Sequence, residues 1–344
     1  MSRPGFVLEV DERTPALLVH EGEGFRLERF PLGTRVIYPP ESLPGLRDVD
    51  AEIRYALENP LGREPLRELL HPGMRLTIVF DDLSIPLPPM KTPDIRQRVI
   101  EHVLELAATA GVDDVELIAG NSLHRRMTPA ELKRTVGERV YRSFYPGHLR
   151  NHDAEDRANL VEVGTTGQGE LVEINRRAAE SDLVVYVNVT LTAMSGGPKS
   201  VSVGLASYRS LKHHHNVHTL RHSRSFNDPP NSAMHHSYNR MAAVLADQVK
   251  IFQIETTVNN ELFPSPTGFL NKREWEWSLR DQASYLAVKR ANDLAPPRRR
   301  RQVWHRTAAP YGITSVTAGA PEEVHAVTMS HVLRQQLTEV DGPA

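Results

Sequence analysis

Three compact apolar runs, Leu76 to Phe80, Val115 to Ala119 and Leu183 to Val187, recur along the chain with longer amphipathic stretches between them. Short β-rich runs that alternate with helical segments build a parallel sheet, because parallel neighbours need a crossover of a dozen or more residues. The first crossover carries Ile95, Val99, Val103, Leu104 and Ala107 at helical spacing between Pro93 and Gly111, a helix opened by proline and closed by glycine. Thr128 stands at the N-cap of a short helix expected over Pro129 to Val136. A second amphipathic helix is expected around Leu171 to Ala179.

Other elements read less regularly. Phe25 to Phe30 and Arg35 to Tyr38 look like short strands broken by glycine and proline, and Val249 to Val258 is apolar and β-rich. Trp275 to Ala295 reads as a helix with Leu279, Ala283, Leu286 and Ala287 on one face. Pro296-Pro297 and Arg298 to Arg301 read as a solvated linker before a final strand (Ile313 to Thr317) and helix (Glu322 to Leu337). The expected fold class is α/β: two α/β domains with mainly parallel sheets and a binding crevice at the strand C-terminal ends between them. Residues 1–260 would form the larger domain and 261–344 the smaller.

Composition narrows the function classes. With 344 residues, 40% of them hydrophobic, the chain can bury a sizeable core. A formal net charge of −2 at pH 7 gives no reason to expect nucleic acid or an anionic membrane surface. No run of about 18 apolar residues occurs and the N-terminus lacks a signal-peptide pattern, so the expectation is a soluble, cytoplasmic protein. The count of cysteines is zero. Disulfides, thiolate metal sites and a cysteine nucleophile are thereby excluded, and a metal would be held by histidine, carboxylate or a cofactor.

Each apolar run leads into a polar segment: Asp81, Asp82 and Ser84 after the first, Asn121 to Arg126 after the second, Asn188 to Lys199 after the third. Ligands of open parallel sheets bind outside the carboxyl ends of the strands, so the three segments should converge. In the third, Gly196-Gly197-Pro198-Lys199-Ser200 offers close backbone approach and a helix N-terminus, without the spacing of a Walker loop. By itself the pattern is also that of an ordinary turn with a solvated lysine. Sixteen residues beyond Lys199 the His213-His214-His215 run ends, and His218, His222, His235 and His236 follow closely. These could serve a metal, proton transfer, or nothing beyond an exposed loop; one metal ligand from the run is easier to build than three, since adjacent side chains diverge. His124, just past the second strand, is placed for proton transfer near neutral pH or for a local hydrogen bond. Asp81 and Asp82 read as turn residues whose carboxylates diverge, one of which could face a crevice.

Taken together, Phe80-Asp81-Asp82-Leu83-Ser84-Ile85-Pro86, Gly120 through Arg125 with Thr128 and Glu131, the Gly-Gly-Pro-Lys-Ser turn, Tyr208, His215, and Tyr285 through Lys289 resemble the lactate racemase family over roughly residues 35 to 295. That family uses a nickel-pincer nucleotide. The resemblance implies that Lys199 anchors the nucleotide covalently through a thioamide, and that His215 supplies the protein's ligand to nickel. It places Asp82, Ser84, Gly196, Gly197 and Ser200 around the cofactor. It also implies that His124 acts as acid and base on a substrate hydroxyl during hydride transfer, with Lys289 lining the same crevice. The partners implied are a small-molecule hydroxy compound and the enzymes that synthesise the cofactor.

Three positions depart from the family pattern, all from polar to apolar. A second catalytic histidine is replaced by Val189, a carboxylate-binding arginine by Ile85, and a glutamine by Leu286. Burying a substrate carboxylate without arginine is costly, so the expected substrate is larger or less charged than lactate. The expected activity is racemisation or epimerisation at a 2-hydroxy carbon. The alternatives are a one-sided oxidoreductase and a non-catalytic nucleotide- or nickel-binding protein.

Overall fold

In the computed structural model the described residues are 7–22, 24–38, 43–83, 90–259, 263, 265–306 and 312–333. Its first half comprises β1 (Val7–Glu9), β2 (Leu17–Glu21), β3 (Gly24–Glu28), β4 (Arg35–Ile37), α1 (Val49–Glu58), α2 (Leu66–Leu69), β5 (Arg75–Phe80), α3 (Ile95–Thr109), β6 (Asp114–Ala119), α4 (Pro129–Phe144) and β7 (Leu149–Asn151). Then come β8 (Leu160–Thr165), β9 (Leu171–Asn175), α5 (Arg176–Ala179), β10 (Leu183–Val189), α6 (Lys199–Gly204), α7 (Tyr208–Leu211), α8 (Val217–Arg221) and α9 (Ala233–Ala246). The chain closes with β11 (Ile251–Val258), α10 (Leu279–Leu294), α11 (Pro297–Arg306), β12 (Ile313–Gly319) and α12 (Pro321–Leu333).

The central sheet has six strands in the order β12-β11-β10-β5-β6-β7. Neighbours from β11 to β7 run parallel and only β12 is antiparallel, to β11. This is the α/β fold with a mainly parallel sheet that the alternation of runs calls for. The strand and helix expected at the end of the chain form as β12 and α12, and they extend this same sheet at its edge. Strand order reverses between β5 and β10: the chain winds one way through β6 and β7 and the other way through β11. The carboxyl ends of β5 and β10 therefore border the crevice that such a reversal opens.

Both faces of the sheet are covered, which is why its strands read as continuous apolar runs rather than alternating ones. Leu76, Ile78 and Phe80 of β5 join Leu117, Val185, Val187 and Phe252 in a core sealed by α1, α3 and α4. Val79, Ile118, Val184 and Tyr186 face the other way, onto α6, α9 and β9. Around this body, β1 pairs with β4 and β2 with β3. Phe25 of β3, Phe269 and Tyr285 of α10 form a separate aromatic cluster.

Four local expectations need correction. Residues 171–179 form not one helix but β9 followed by the single turn α5. Val172 and Ile174 alternate into the core while β9 pairs antiparallel with β8, and the buried Glu173 is paired with Arg209 at 2.9 Å. The arginine run is not a linker but lies in α11, where Pro297 takes the first helical position and arginine is a good helix former. On α10 only Tyr285 is buried, whereas Leu279 is 83% and Leu286 66% exposed. The helix after Thr128 continues to Phe144, past a break at Gly137 (φ 83°), and its capping box joins Thr128 to Glu131.

Candidate active site

The turn Gly196-Gly197-Pro198 links the end of β10 to α6 and sets Lys199 at the first position of that helix. Both glycines lie in the left-handed region, at φ 79° and 76°. A Cβ on Gly196 would come within 2.5 Å of Glu255 Oε1, and one on Gly197 within 2.8 Å of the His325 ring. Two glycines are thus required both by the backbone and by the side chains packed on it. Gly197 donates its N–H to Glu255 Oε1 at 2.6 Å, and buried Ser200 accepts from Gln253 Nε2 at 3.0 Å.

Lys199 is half-buried. Among the described residues its ammonium has no hydrogen-bond or ion-pair partner and lies 5.0 Å from the centre of the Tyr238 ring. Burial pulls it down to about 8, against the opposing pull of Glu255 and Asp81. A lysine so placed holds a substantial neutral fraction near physiological pH, as a nucleophilic amine must.

The histidine run divides by environment. His215 presents Nδ1 to the Leu211 carbonyl at 3.3 Å, which directs Nε2 away from that bond. Partial burial of the ring lowers its basicity, against the Leu211 carbonyl. His214 is fully buried, both ring nitrogens lack partners among the described residues, and burial brings it down to about 3. The buried Tyr238 hydroxyl is likewise orphaned. Tyr238 meets His214 edge-on and His235 at a tilt, at 5.6 and 4.7 Å between ring centres. His213 does not join this group, and His218 and His222 pack on each other along α8. The described residues contain no group of three or more His, Asp or Glu placed to hold a metal ion.

On the other side of the crevice the two aspartates after β5 diverge. Asp82 accepts from His124 Nδ1 at 3.1 Å, and this bond, with the field of the carboxylate, raises the imidazole pKa. Asp81 turns inward, accepts the Val189 N–H at 2.7 Å, and is pushed up to about 7 by burial. Arg96, buried and forked onto Asp94, donates to the carbonyls of both aspartates at 2.8 and 3.1 Å and so fixes the end of β5. Polar contacts then run across the strand ends without a break. The Asn188 amide donates to Asp81 (2.9 and 3.0 Å) and faces Thr190 Oγ1 at 2.7 Å, the Thr190 hydroxyl directs its one proton to either the Asn188 oxygen or Glu255 Oε2 at 3.0 Å, and Glu255 meets His325 Nδ1 at 3.4 Å.

The structure thus brings Asp82, His124, Gly196, Gly197, Lys199, Ser200 and His215 to one end of the sheet. Ser84 and Ile85 lie outside the described residues. Lys289 is not brought to this cluster: it sits on α10, which packs against β3, and pairs with Asp293 one turn along at 3.0 Å. Arg125 is spent on Glu131, with contacts of 2.9 and 2.7 Å. Glu255, Tyr238 and His325 were not expected from sequence. The one available signal was a glutamate inside the apolar β11 run, which demands a buried partner.

The lactate racemase N-terminal domain model matches residues 25–228, more than half of the chain. The chain belongs to the lactate racemase family. Curated relatives are the lactate racemase of Thermoanaerobacterium thermosaccharolyticum, 27% identical over 47% of this chain and 37% of that protein, and the lactate racemase of Lactiplantibacillus plantarum, 26% identical over 61% of this chain and 47% of that one. The match therefore spans less than half the length of either racemase. The solved apoprotein of the Thermoanaerobacterium thermosaccharolyticum lactate racemase superposes with a TM-score of 0.59 at 17% identity, over 93% of this chain and 62% of that one. This family member thus shares the racemase fold. No helix among its described residues is long and apolar enough to cross a membrane.

Proposed function

We propose that this protein is a racemase or epimerase acting at a 2-hydroxy carbon, with a nickel-pincer nucleotide attached to Lys199 and its nickel ligated by His215. The observation that carries the reading is the unpartnered, half-buried Lys199 ammonium beside orphaned polar atoms of His214 and Tyr238. Buried polar groups without partners are uncommon in finished structures and are satisfied when a ligand arrives. A single imidazole whose Nδ1 is taken by a backbone carbonyl, with no multi-ligand site among the described residues, suits a metal whose remaining donors come from the cofactor. When bound, such a nucleotide supplies a reversible hydride acceptor.

The chain's own residues supply the rest. Asp82 orients the His124 ring through Nδ1, and the imidazole so held takes the proton of a substrate hydroxyl and returns it. Arg96 keeps Asp82 in place through the backbone. Val189, 8% exposed with its N–H on Asp81, cannot move a proton. That residue favours one second reading, a one-sided oxidoreduction of a hydroxy compound. Ile85 in the sequence, where the family carries a carboxylate-binding arginine, supports a substrate larger or less charged than lactate, and the partners proposed are the enzymes that make the cofactor.

Protein produced together with those enzymes should carry an added mass on the Lys199 peptide and one nickel per chain. Chiral analysis of products from a panel of 2-hydroxy acids and sugar acids then separates the readings: conversion between epimers supports a racemase, accumulation of ketone the one-sided reaction. Unmodified Lys199 in such protein would overturn both.

A further inference from the structure

Glu255 has no solvent exposure and lies directly beneath the turn that carries Lys199. Its Oε1 accepts from Gly197 N–H at 2.6 Å and from Gln253 at 3.3 Å, and its Oε2 lies 3.0 Å from the Thr190 hydroxyl. Among the described residues its one ion-pair partner is the half-buried His325 at 3.4 Å. A carboxylate this deep is costly without a cation. The charged and titratable groups facing Lys199 are Glu255 from β11, Asp81 from β5, His214 beyond α7, and His235 with Tyr238 on α9. Burial keeps both histidines neutral. Asp81 has the Arg96 guanidinium nearby. Beside the His325 imidazole, the cation that Glu255 acts on is Lys199.

We propose that Glu255 is the positioning residue of the lysine site: it fixes the Gly196-Gly197 turn, balances the Lys199 ammonium, and retains one of the protons that Lys199 gives up on acylation. This rests on reading Lys199 as the attachment point. With an activated acyl donor, the Nζ–carbon bond forms and the bond from that carbon to its activating group breaks, the electron pair leaving with the group. Of the two protons the ammonium loses, one makes Glu255 a neutral acid and the other goes to solvent. The buried acid is then not left as an unpaired charge.

Competitive acetylation with acetic anhydride across pH 6–10, read by peptide mass spectrometry, tests this on the protein without cofactor. Lys199 should titrate at about 8 in the parent chain. Glu255→Gln keeps one acceptor oxygen for the Gly197 N–H but removes the charge, and should move the midpoint down by about one unit, since a nearby opposite charge shifts a pKa by one to three. An unmoved midpoint in a folded variant overturns the proposal. Should Glu255→Gln alone fail to fold, Lys199→Met and Lys199→Met/Glu255→Gln keep the question answerable. Lys199→Met should melt at a lower temperature at pH 8 than at pH 6, and Glu255→Gln in that background should shrink the difference. Equal pH dependence of the two overturns the proposal. The mass test of cofactor attachment is separate, so loss of that reading and loss of this one would be told apart.

Discussion

His124 and Asp82 reach each other across the ends of two neighbouring strands, ring Nδ1 to carboxylate at 3.1 Å, with the imidazole half in solvent and the acid nearly covered. The pairing orients the ring and raises its pKa, by the hydrogen bond first and against the effect of burial. Asp82→Asn should therefore move the His124 titration downward, followed by imidazole NMR against pH. The sign for stability follows: with the folded pKa above the unfolded value, the pair's contribution is full below the unfolded imidazole's titration near 6.5 and is lost as pH rises through the folded one. Removing His124 should reduce turnover by on the order of 10²–10⁴-fold, the usual share of a general acid-base group.

Lys199 and His215 should fail in different ways. Lys199→Ala should abolish the added mass and, with it, nickel retention after co-production with the cofactor-synthesis enzymes. His215→Ala should keep the mass and retain less metal. Intact-mass spectra and metal analysis of the same samples check both, and equal loss of mass in the two variants would contradict the division of roles.

The left-handed turn sets a third expectation. Gly197→Ala adds a Cβ within 2.8 Å of the His325 ring at φ 76°, and αL backbone costs a non-glycine residue about 1–2 kcal/mol before any clash. Denaturant unfolding should show at least that loss, and acetylation of Lys199 should fall because the helix start that presents it is displaced.

Beneath the other face, Glu170 is gripped by Arg240 (closest at 2.5 Å), by Ser237 at 2.5 Å and by Thr166 at 2.6 Å, tying the β8-β9 hairpin to α9. These partners outweigh burial and hold it down to about 2. Arg240→Met should cost about 2 kcal/mol, less than the 3–5 of a fully enclosed pair because part of the guanidinium meets solvent. Glu170 contributes stability above the unfolded carboxylate range, and that contribution is lost as pH falls toward 2. Urea unfolding at pH 7 and pH 3 reads both effects.

Much of this was legible in the chain. Leu76 to Phe80, Val115 to Ala119 and Leu183 to Val187 are strands because both their faces are covered, and polar residues cluster where each run ends. The Thr128 cap and the Gly196-Gly197 turn were readable from local chemistry. What sequence hid was tertiary: residues 171–175 are a strand through their pairing with β8, and Leu279 and Leu286 suggested a face that α10 does not bury. Glu255 and His325 stand 70 residues apart and meet only because α12 folds back over the end of β11.

That return of the chain has a consequence for the order in which the molecule matures. The segment matched by the family model ends at residue 228, yet the acid and the imidazole that seat on Gly196 and Gly197 are synthesised later. A ribosome delivers Lys199 more than a hundred residues before α12 exists. The lysine turn is therefore finished last, and a chain cut at the edge of the family domain would present Lys199 without the groups that hold it.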